Sequence, residues 1–306
     1  NIIEMSTPSK RSVGRPRRTP QPDPMPRNGI VYEPSSSDNL VEMSYDNVSV
    51  FKKIFNLLKN MNVKEINFYF TDTGVLLFGV DHLEKNIIHI KVNSHKLNHY
   101  FCERPVTITL DTKNLDKITQ KIDKNYELMS FILKKDSYRN NLIIILNNKE
   151  MSIDESHIIR LIESDHNYDT FMNKSSNYNS YPLKFELNCK YFKKLINDMY
   201  VFSEVFTIEK VNNQPLQFVY KNLNNTIRGY NICKDAKKIS LETTLDEEDI
   251  FSVSVQIDYV KSISNSLLSE KVKIFADSDN DLVFNMSIDE GVIDITSYVS
   301  INRYTI

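Results

Sequence analysis

The sequence predicts an α+β fold in which one kind of domain occurs twice. A helix-like stretch at 49–59 (SVFKKIFNLLK) returns about 141 residues later at 190–197 (KYFKKLIN). Both copies place apolar residues on one helical face and lysines on the other. Short β-rich runs also alternate with single helices in both halves of the chain. These observations favour a symmetric scaffold that presents positive charge to a polyanion.

The first pair of helices separates apolar from basic side chains. At about 100° per residue, Ile54 and Phe55 fall within about 60° of Phe51, and Phe192 shares a side with Leu195 in the second copy. The lysines on the opposite arcs are Lys52, Lys53 and Lys59 in the first copy, and Lys190, Lys193 and Lys194 in the second.

A second pair of helices is predicted at 113–124 and 256–268, about 144 residues apart. In the first of these, Leu115 and Ile118 define the apolar side. The opposite stripe contains Lys113, Lys117, Lys121 and Lys124. The last helix is weaker, because only Lys261 lies near the boundary of its polar face.

Positive charge is concentrated in these helices. The four segments together carry +7 and residues 1–33 carry +3, so the remainder carries −12 in a chain of net charge −2. One lysine-rich helix is typical of an ordinary solvated surface, but segregation of this size favours function. A basic lining on an otherwise acidic particle attracts phosphates without sequence preference.

Strands dominate both halves of the sequence. They are predicted at 66–70, 75–78, 87–92, 106–110, 129–133 and 142–146, and again at 216–220, 239–243, 251–255, 272–275 and 282–288. The polar stretch 164–180 has no persistent period and is predicted to be a connector. The predicted domains are therefore 38–163 and 181–306.

Residues 1–37 are predicted to form a disordered arm. They hold seven of the ten prolines and five of the ten arginines, a mixture that cannot build a core. Within the arm, 13–18 (VGRPRR) resembles an AT-hook, which would place Arg15, Arg17 and Arg18 in an A·T minor groove. A basic flexible tail or a nuclear-targeting segment explains the same residues, and both interpretations predict attraction to phosphate.

Composition disfavours several classes of protein. The chain of 306 residues is long enough for two ordinary domains and contains no membrane span. Three cysteines without C-x-x-C spacing favour a reducing, intracellular compartment. Its six glycines form neither G-x-G-x-x-G nor a P-loop, and His95 with His99 lacks a third metal ligand. No enzyme activity, catalytic residue, cofactor or metal site is therefore predicted.

Several short motifs, in their order and spacing, resemble one known family. They are the S-x-x-K-K helix at 49–59, 74–75 (GV) followed by 80–82 (VDH), the run 100–104 (YFCER), and a long connector between two copies. On these residues the chain resembles the DNA sliding clamps of the proliferating cell nuclear antigen (PCNA) type over about 40–301. It is most similar to clamp-like proteins of asfarvirus-related large DNA viruses, which share the Gly-Arg-Pro tail and strands like 44–47 and 206–210. A viral source is therefore expected.

The resemblance implies a head-to-tail homotrimer in which six domains close a ring around duplex DNA, with helices lining the hole and sheets outside. It implies a polymerase processivity factor and docking platform for viral DNA replication and repair, in the host cytoplasm or nucleus. The implied partners are duplex DNA, DNA polymerase, other replication or repair proteins and a clamp loader. By family position the basic lining contains Lys52, Lys53, Lys59, Lys117 and Lys194, with Lys121 and Lys193 close by, while Asn197 and Asn265 replace basic residues.

The resemblance also implies two protein contact regions. The subunit edges correspond to 140–147 and 226–233, and the residues assigned to them are Leu142, Ile143, Ile144, Ile145, Ile227, Gly229 and Tyr230. The apolar run 142–146 fits a buried central strand equally well. The patch for partner proteins is assigned to Val80, Phe171, Met172, Leu282 and Tyr298, although Tyr298-Val299 stands where the family typically has Ala-Pro.

Two other functions fit parts of the sequence. The same fold could act as an open basic clasp, a monomeric or dimeric processivity factor that grips DNA electrostatically. An architectural A·T-binding protein would instead depend on the arm. Deleting residues 1–33 separates the last interpretation from the others, and the mass in solution separates the ring from the clasp.

Overall fold

The computed structural model describes residues 35–83, 86–138, 140–163, 178–211, 214–221, 228–232, 239–246, 249–266, 268–279 and 281–301. The first half contains β1 (Asn39–Tyr45), α1 (Val48–Asn60), β2 (Val63–Thr71), β3 (Gly74–Asp81), β4 (Ile87–Asn93), β5 (His99–Cys102), β6 (Val106–Asp111), α2 (Thr112–Gln120), β7 (Tyr126–Lys134), β8 (Asn141–Asn148) and β9 (Ile153–Arg160). The second half contains β10 (Leu183–Asn188), α3 (Cys189–Tyr200), β11 (Val205–Val211), β12 (Gln217–Lys221), β13 (Arg228–Ile232), β14 (Ile239–Thr243), β15 (Ile250–Gln256), α4 (Ile257–Ser266), β16 (Lys271–Ala276), β17 (Leu282–Ile288) and β18 (Ile293–Val299).

The helices bury the faces that their sequences predict. α2 begins where the Asp111 carboxylate accepts a hydrogen bond from the Lys113 amide at 2.7 Å. α3 begins where the Asn188 side chain accepts one from the Lys190 amide at 2.9 Å. The buried apolar residues include Phe51, Ile54, Phe55 and Leu58 in α1, Leu115 in α2, and Phe192, Leu195, Ile196 and Met199 in α3.

The strands of the described residues form three antiparallel sheets. Their orders are β5-β1-β7-β8-β9, β14-β10-β16-β17-β18-β4-β3-β2-β6 and β13-β12-β11-β15. The nine-stranded sheet runs through both halves of the chain because β18 pairs with β4, with Ile293 opposite Val92 and Tyr298 opposite Ile87. The two halves therefore share one continuous sheet.

The four α-helices of the described residues form one row. α1 contacts α2 in its own half and α4 of the other half, and α4 in turn contacts α3. Two hydrogen bonds reinforce the contact between the halves: the Ser262 hydroxyl donates to the Asn60 carbonyl at 3.2 Å, and the Tyr259 hydroxyl donates to the Asp81 carboxylate at 2.7 Å. Burial, together with this bond to Asp81, raises the pKa of Tyr259 to about 12.

The predicted α+β class is confirmed, and every strand predicted from the pattern overlaps an observed strand. The prediction that Leu142, Ile143, Ile144 and Ile145 form a subunit edge is wrong. These residues lie in β8, which pairs with β7 on one side and β9 on the other, so its backbone groups are already bonded. The alternative prediction, a central strand, is confirmed for β8, and β9 lies at one end of this sheet.

Candidate nucleic-acid interface

Six of the lysines predicted to contact DNA have an ammonium group with no hydrogen-bond or ion-pair partner among the described residues. They are Lys53, Lys113, Lys117, Lys190, Lys193 and Lys194. All six lie on helix faces opposite the buried residues, and all but the half-exposed Lys193 are exposed. Their ammonium groups are therefore available to an anionic ligand, and they come from α1, α2 and α3, which belong to one row of helices in which α4 lies between α1 and α3.

Two predicted contacts are instead used to join α1 to α2. The Lys52 ammonium donates to the carbonyls of Gln120 and Ile122, at 2.9 and 2.7 Å, where the α2 region ends in unpaired carbonyls. Lys59 pairs at 2.8 Å with Asp116, whose side chain is only 8% exposed. These lysines hold the helix layer together, and their charge is partly compensated.

Two more predicted contacts have partners in their own half. Lys121 forms an ion pair with Glu155 of β9. The Lys261 ammonium lies 3.1 Å from the centroid of the Tyr200 ring, a cation–π contact that joins α4 to α3. The free basic charge on the helices therefore rests on the six lysines without partners rather than on all ten.

The first and third sheets each end in a strand with no further pairing among the described residues. β9 ends the five-stranded sheet and β13 ends the four-stranded sheet. Exposed apolar side chains accompany both ends, namely Met151, Ile153 and Ile158 at β9, and Val201 and Phe202 beside the sheet of β13. Gly229 and Tyr230 lie in β13, while Ile227 is outside the described residues. Open strand ends with apolar neighbours are typical of protein interfaces.

A small apolar cluster covers the face of the nine-stranded sheet that points away from the main core. We call it the outer-face cluster, and it contains Ile87, Tyr181, Val283 and Tyr298 with the partly buried Val80, Tyr178 and Phe275. Two of the predicted partner-binding residues, Val80 and Tyr298, are thus brought together. The cluster's other members were not among the predicted contacts: Ile87, Tyr178, Tyr181, Val283 and Phe275. Alternation along the strands could have indicated Val283 and Phe275.

Leu282 does not belong to this cluster, and its prediction as a partner contact is wrong. Successive side chains of a strand point to opposite faces, so Leu282 enters the main core while its neighbour Val283 reaches the outer face. Leu282 is fully buried. Phe171 and Met172, the other two predicted contacts, lie outside the described residues.

His89 of β4 lies beside the outer-face cluster and is almost fully buried. Its ring meets Tyr298 edge to face at a centroid distance of 5.3 Å. Its Nε2 atom is shielded from solvent and has no hydrogen-bond partner in the part of the chain that the structure describes. Burial lowers the pKa of His89 to about 4, so this side chain is neutral near pH 7.

The arm residues Arg15, Arg17 and Arg18 lie outside the described residues, and their role stays a prediction. Within the described part of the chain, no three His, Cys, Asp or Glu side chains cluster in a way that could hold a metal ion. Nor does that part contain a helix with the length and apolar character needed to span a membrane.

Comparison with known proteins identifies the class of this fold. Residues 40–169 match the family model of the PCNA N-terminal domain. The structure resembles the crystal structure of PCNA from Entamoeba histolytica with a TM-score of 0.71 at 13% identity, covering 86% of this chain and 99% of that one. The chain therefore has the sliding-clamp fold of PCNA, and the resemblance expected from its motifs is confirmed.

Its curated relatives include viral proteins. An uncharacterized protein of African swine fever virus (isolate Pig/Kenya/KEN-50/1950) is 25% identical over 289 residues, covering 93% of this chain and 96% of the relative. PCNA of Saccharomyces cerevisiae is 20% identical over 259 residues, covering 83% and 95%. Probable DNA polymerase sliding clamp 1 of Paramecium bursaria Chlorella virus 1 is 20% identical over 252 residues, covering 78% and 88%.

Proposed function

We propose that three copies of this chain close into a ring around duplex DNA and act as a processivity factor for a viral DNA polymerase. The observation that carries the proposal is the helix layer with its six lysines that lack partners in the described residues. Phosphates meet these lysines in any sequence, and exposed ammonium groups exchange contacts without a fixed register. Such a surface permits sliding.

Ring closure follows from the internal duplication. Within the chain, β18 of the second half pairs with β4 of the first. The strands that correspond by position to β18 and β4 are β9 and β13, and each lies at one end of its sheet among the described residues. Pairing β9 of one copy with β13 of the next repeats the internal junction between copies, and three repeats of this head-to-tail contact would close the ring. DNA would then be held topologically, so tight local binding is unnecessary.

Partner proteins would dock on the outer-face cluster. It presents aromatic side chains from β16, β18 and the 178–180 turn on the side of the sheet away from the helices. Aromatic anchors in such pockets dominate many protein interfaces. A polymerase and other replication or repair proteins bound there would stay on DNA without contacting the lysine surface. This role places the protein in the host cytoplasm or nucleus, where viral DNA is copied.

The solution mass tests the ring directly. Light scattering after size-exclusion chromatography, at several protein concentrations, should give a mass near three times 35.7 kDa. The trimer should also stay on nicked circular DNA in high salt and slide off after linearisation, because only a topological link survives screening. A stable monomer or dimer, or salt release that is equal for circular and linear DNA, would contradict the ring and favour the open clasp.

A further inference from the structure

The internal duplication determines which residues meet between copies. In β8 and β17 the core residues Leu142, Ile144 and Leu146 match Leu282, Phe284 and Met286, each 140 residues later. Leu142 pairs with Ile159, and Leu282 pairs with Val299. β9 and β18 therefore also correspond at a separation of 140 residues, so His157 occupies the position of Ser297.

The other side of the junction follows in the same way. Leu77 of β3 and Phe218 of β12 are corresponding core residues, 141 apart, and they pair with Ile90 and Asn231 respectively. β4 and β13 therefore correspond at 141 residues, and Gly229 occupies the position of Ile88. Because Ser297 lies opposite Ile88 inside the chain, His157 of one copy lies opposite Gly229 of the next.

We infer that His157 packs against the Tyr220 ring of the neighbouring copy, in a row that runs Tyr220, Gly229, His157 across the junction. This inference rests on the proposed ring. Tyr220 lies directly opposite Gly229 in the β12–β13 pair, and its ring covers that glycine so closely that a Cβ there would overlap it. A ring lying over the edge strand reaches the next strand added to that edge.

The aromatic residues of this contact already pack against each other within a single copy. Phe202, at the end of α3, stacks on Tyr220 with ring centroids 5.4 Å apart and planes 26° from parallel. Phe202 is nevertheless 43% exposed. In the first half the small and large residues are exchanged, since Gly79 stands opposite Ile88. The Tyr220–Gly229 arrangement is therefore found beside β13 and not at the corresponding position beside β4.

His157 is available for this contact. It lies on the same face of β9 as Ile159, which enters the core. Within the described residues its Nε2 has no hydrogen-bond partner, and Glu155 Oε2 lies 3.6 Å away, which is too long for a hydrogen bond. That carboxylate is already bonded to Lys121 and to the Tyr126 hydroxyl. The imidazole keeps 29% of its surface exposed at the open strand.

A double-mutant cycle tests the contact. The dissociation constant of the full-length oligomer is measured by sedimentation velocity for the wild type, His157→Ala, Tyr220→Leu and the double variant. Each single change should weaken each junction about two- to tenfold, as expected for loss of an aromatic contact, and the double variant should be no weaker than the worse single one. Tyr220→Leu retains apolar volume over Gly229, and thermal unfolding verifies that each subunit folds.

Ser156→Ala is the matched control, because Ser156 is exposed and points to the other face of β9. Its effect should be small and additive with Tyr220→Leu. Additive losses for His157 and Tyr220, or no loss, in a chain that still forms trimers would overturn this contact and leave the ring intact. A wild-type chain that stays monomeric would overturn the ring itself.

Discussion

Single buried polar groups in this protein have identifiable electrostatic consequences. Glu42 of β1 is almost fully buried, and burial alone would raise its pKa. Hydrogen bonds from Asn39 at 2.7 Å, Ser35 at 2.8 Å and His99 at 2.7 Å outweigh burial, so its pKa is lowered. His89 has no such partner on Nε2, and burial keeps it neutral. Near pH 7 Glu42 is therefore charged, whereas His89 is neutral.

His89 should make stability depend on pH. The unfolded histidine binds a proton below about pH 6.5, whereas the folded one does so only below about pH 4, so stability is lost as pH falls through this window. The expected loss is roughly 3 kcal/mol across the window. In His89→Phe this component should disappear, as measured by urea unfolding between pH 7 and pH 4.

His82 is exposed, so His82→Gln serves as the control. The stability of this variant should keep the pH dependence of the wild type. Parallel curves for the wild type and His89→Phe would show that His89 titrates normally, and would contradict the effect of burial.

At the scale of elements, lysines on one helix face have two different roles. Lys52 and Lys59 bond to α2, whereas Lys53 on the same helix has no partner among the described residues. Intramolecular bonding reduces the charge that is available to phosphate and strengthens helix packing. Substitution of Lys52 is therefore a poor probe of DNA binding, because it also removes a contact between helices.

Reversing the charge of lysines that lack partners among the described residues is a more specific test of DNA binding. Lys53→Glu, Lys117→Glu and Lys194→Glu together should weaken duplex DNA binding by about tenfold or more and make its salt dependence shallower. Fluorescence anisotropy at several salt concentrations measures both effects. The oligomer mass should not change, because none of the three lysines lies in β9 or β13.

A charge-matched control uses Lys91→Glu, Lys134→Glu and Lys273→Glu, three exposed lysines on strand positions that alternate with core residues. This variant should lose little affinity. An equal loss in both triple variants would show that net charge, and not the helix face, controls binding.

At the scale of the whole molecule, the junction inside the chain and the terminal positions of β9 and β13, the strands that correspond to its two sides, suggest a repeating assembly. The junction combines the β4–β18 pairing with the Ser262–Asn60 and Tyr259–Asp81 hydrogen bonds.

Removal of the arm should distinguish electrostatic affinity for DNA from topological retention on circular DNA. Deleting residues 1–33 removes a net charge of +3, so the affinity for linear DNA should fall by about one order of magnitude or less at low salt. Retention on nicked circles in high salt should persist, because it depends on ring closure. Loss of binding to both forms of DNA, measured by anisotropy and pull-down, would favour the architectural function.

Local pattern predicted the amphipathic helices and most of the strands, but it missed the buried strands β1, β10 and β18 as well as β9. α1 and α3 follow from the spacing of apolar residues such as Phe51, Ile54 and Phe192, because the residues that face the core recur every three to four positions in a helix. β9 was not predicted from its pattern, since Ile153 and Ile158 are exposed and its alternation is weak. An edge strand has fewer buried residues, so its sequence carries less of the signal.

The sequence by itself determined the duplicated α+β architecture, the amphipathic helices and their segregated positive charge, because these depend on spacing within short segments. Three-dimensional contacts were needed to show which lysines lack partners among the described residues, that β8 is central and β9 terminal, and that Leu282 points inward while Val283 points outward. Each of these depends on strand register and on contacts between residues far apart in the chain, and a local pattern does not specify them.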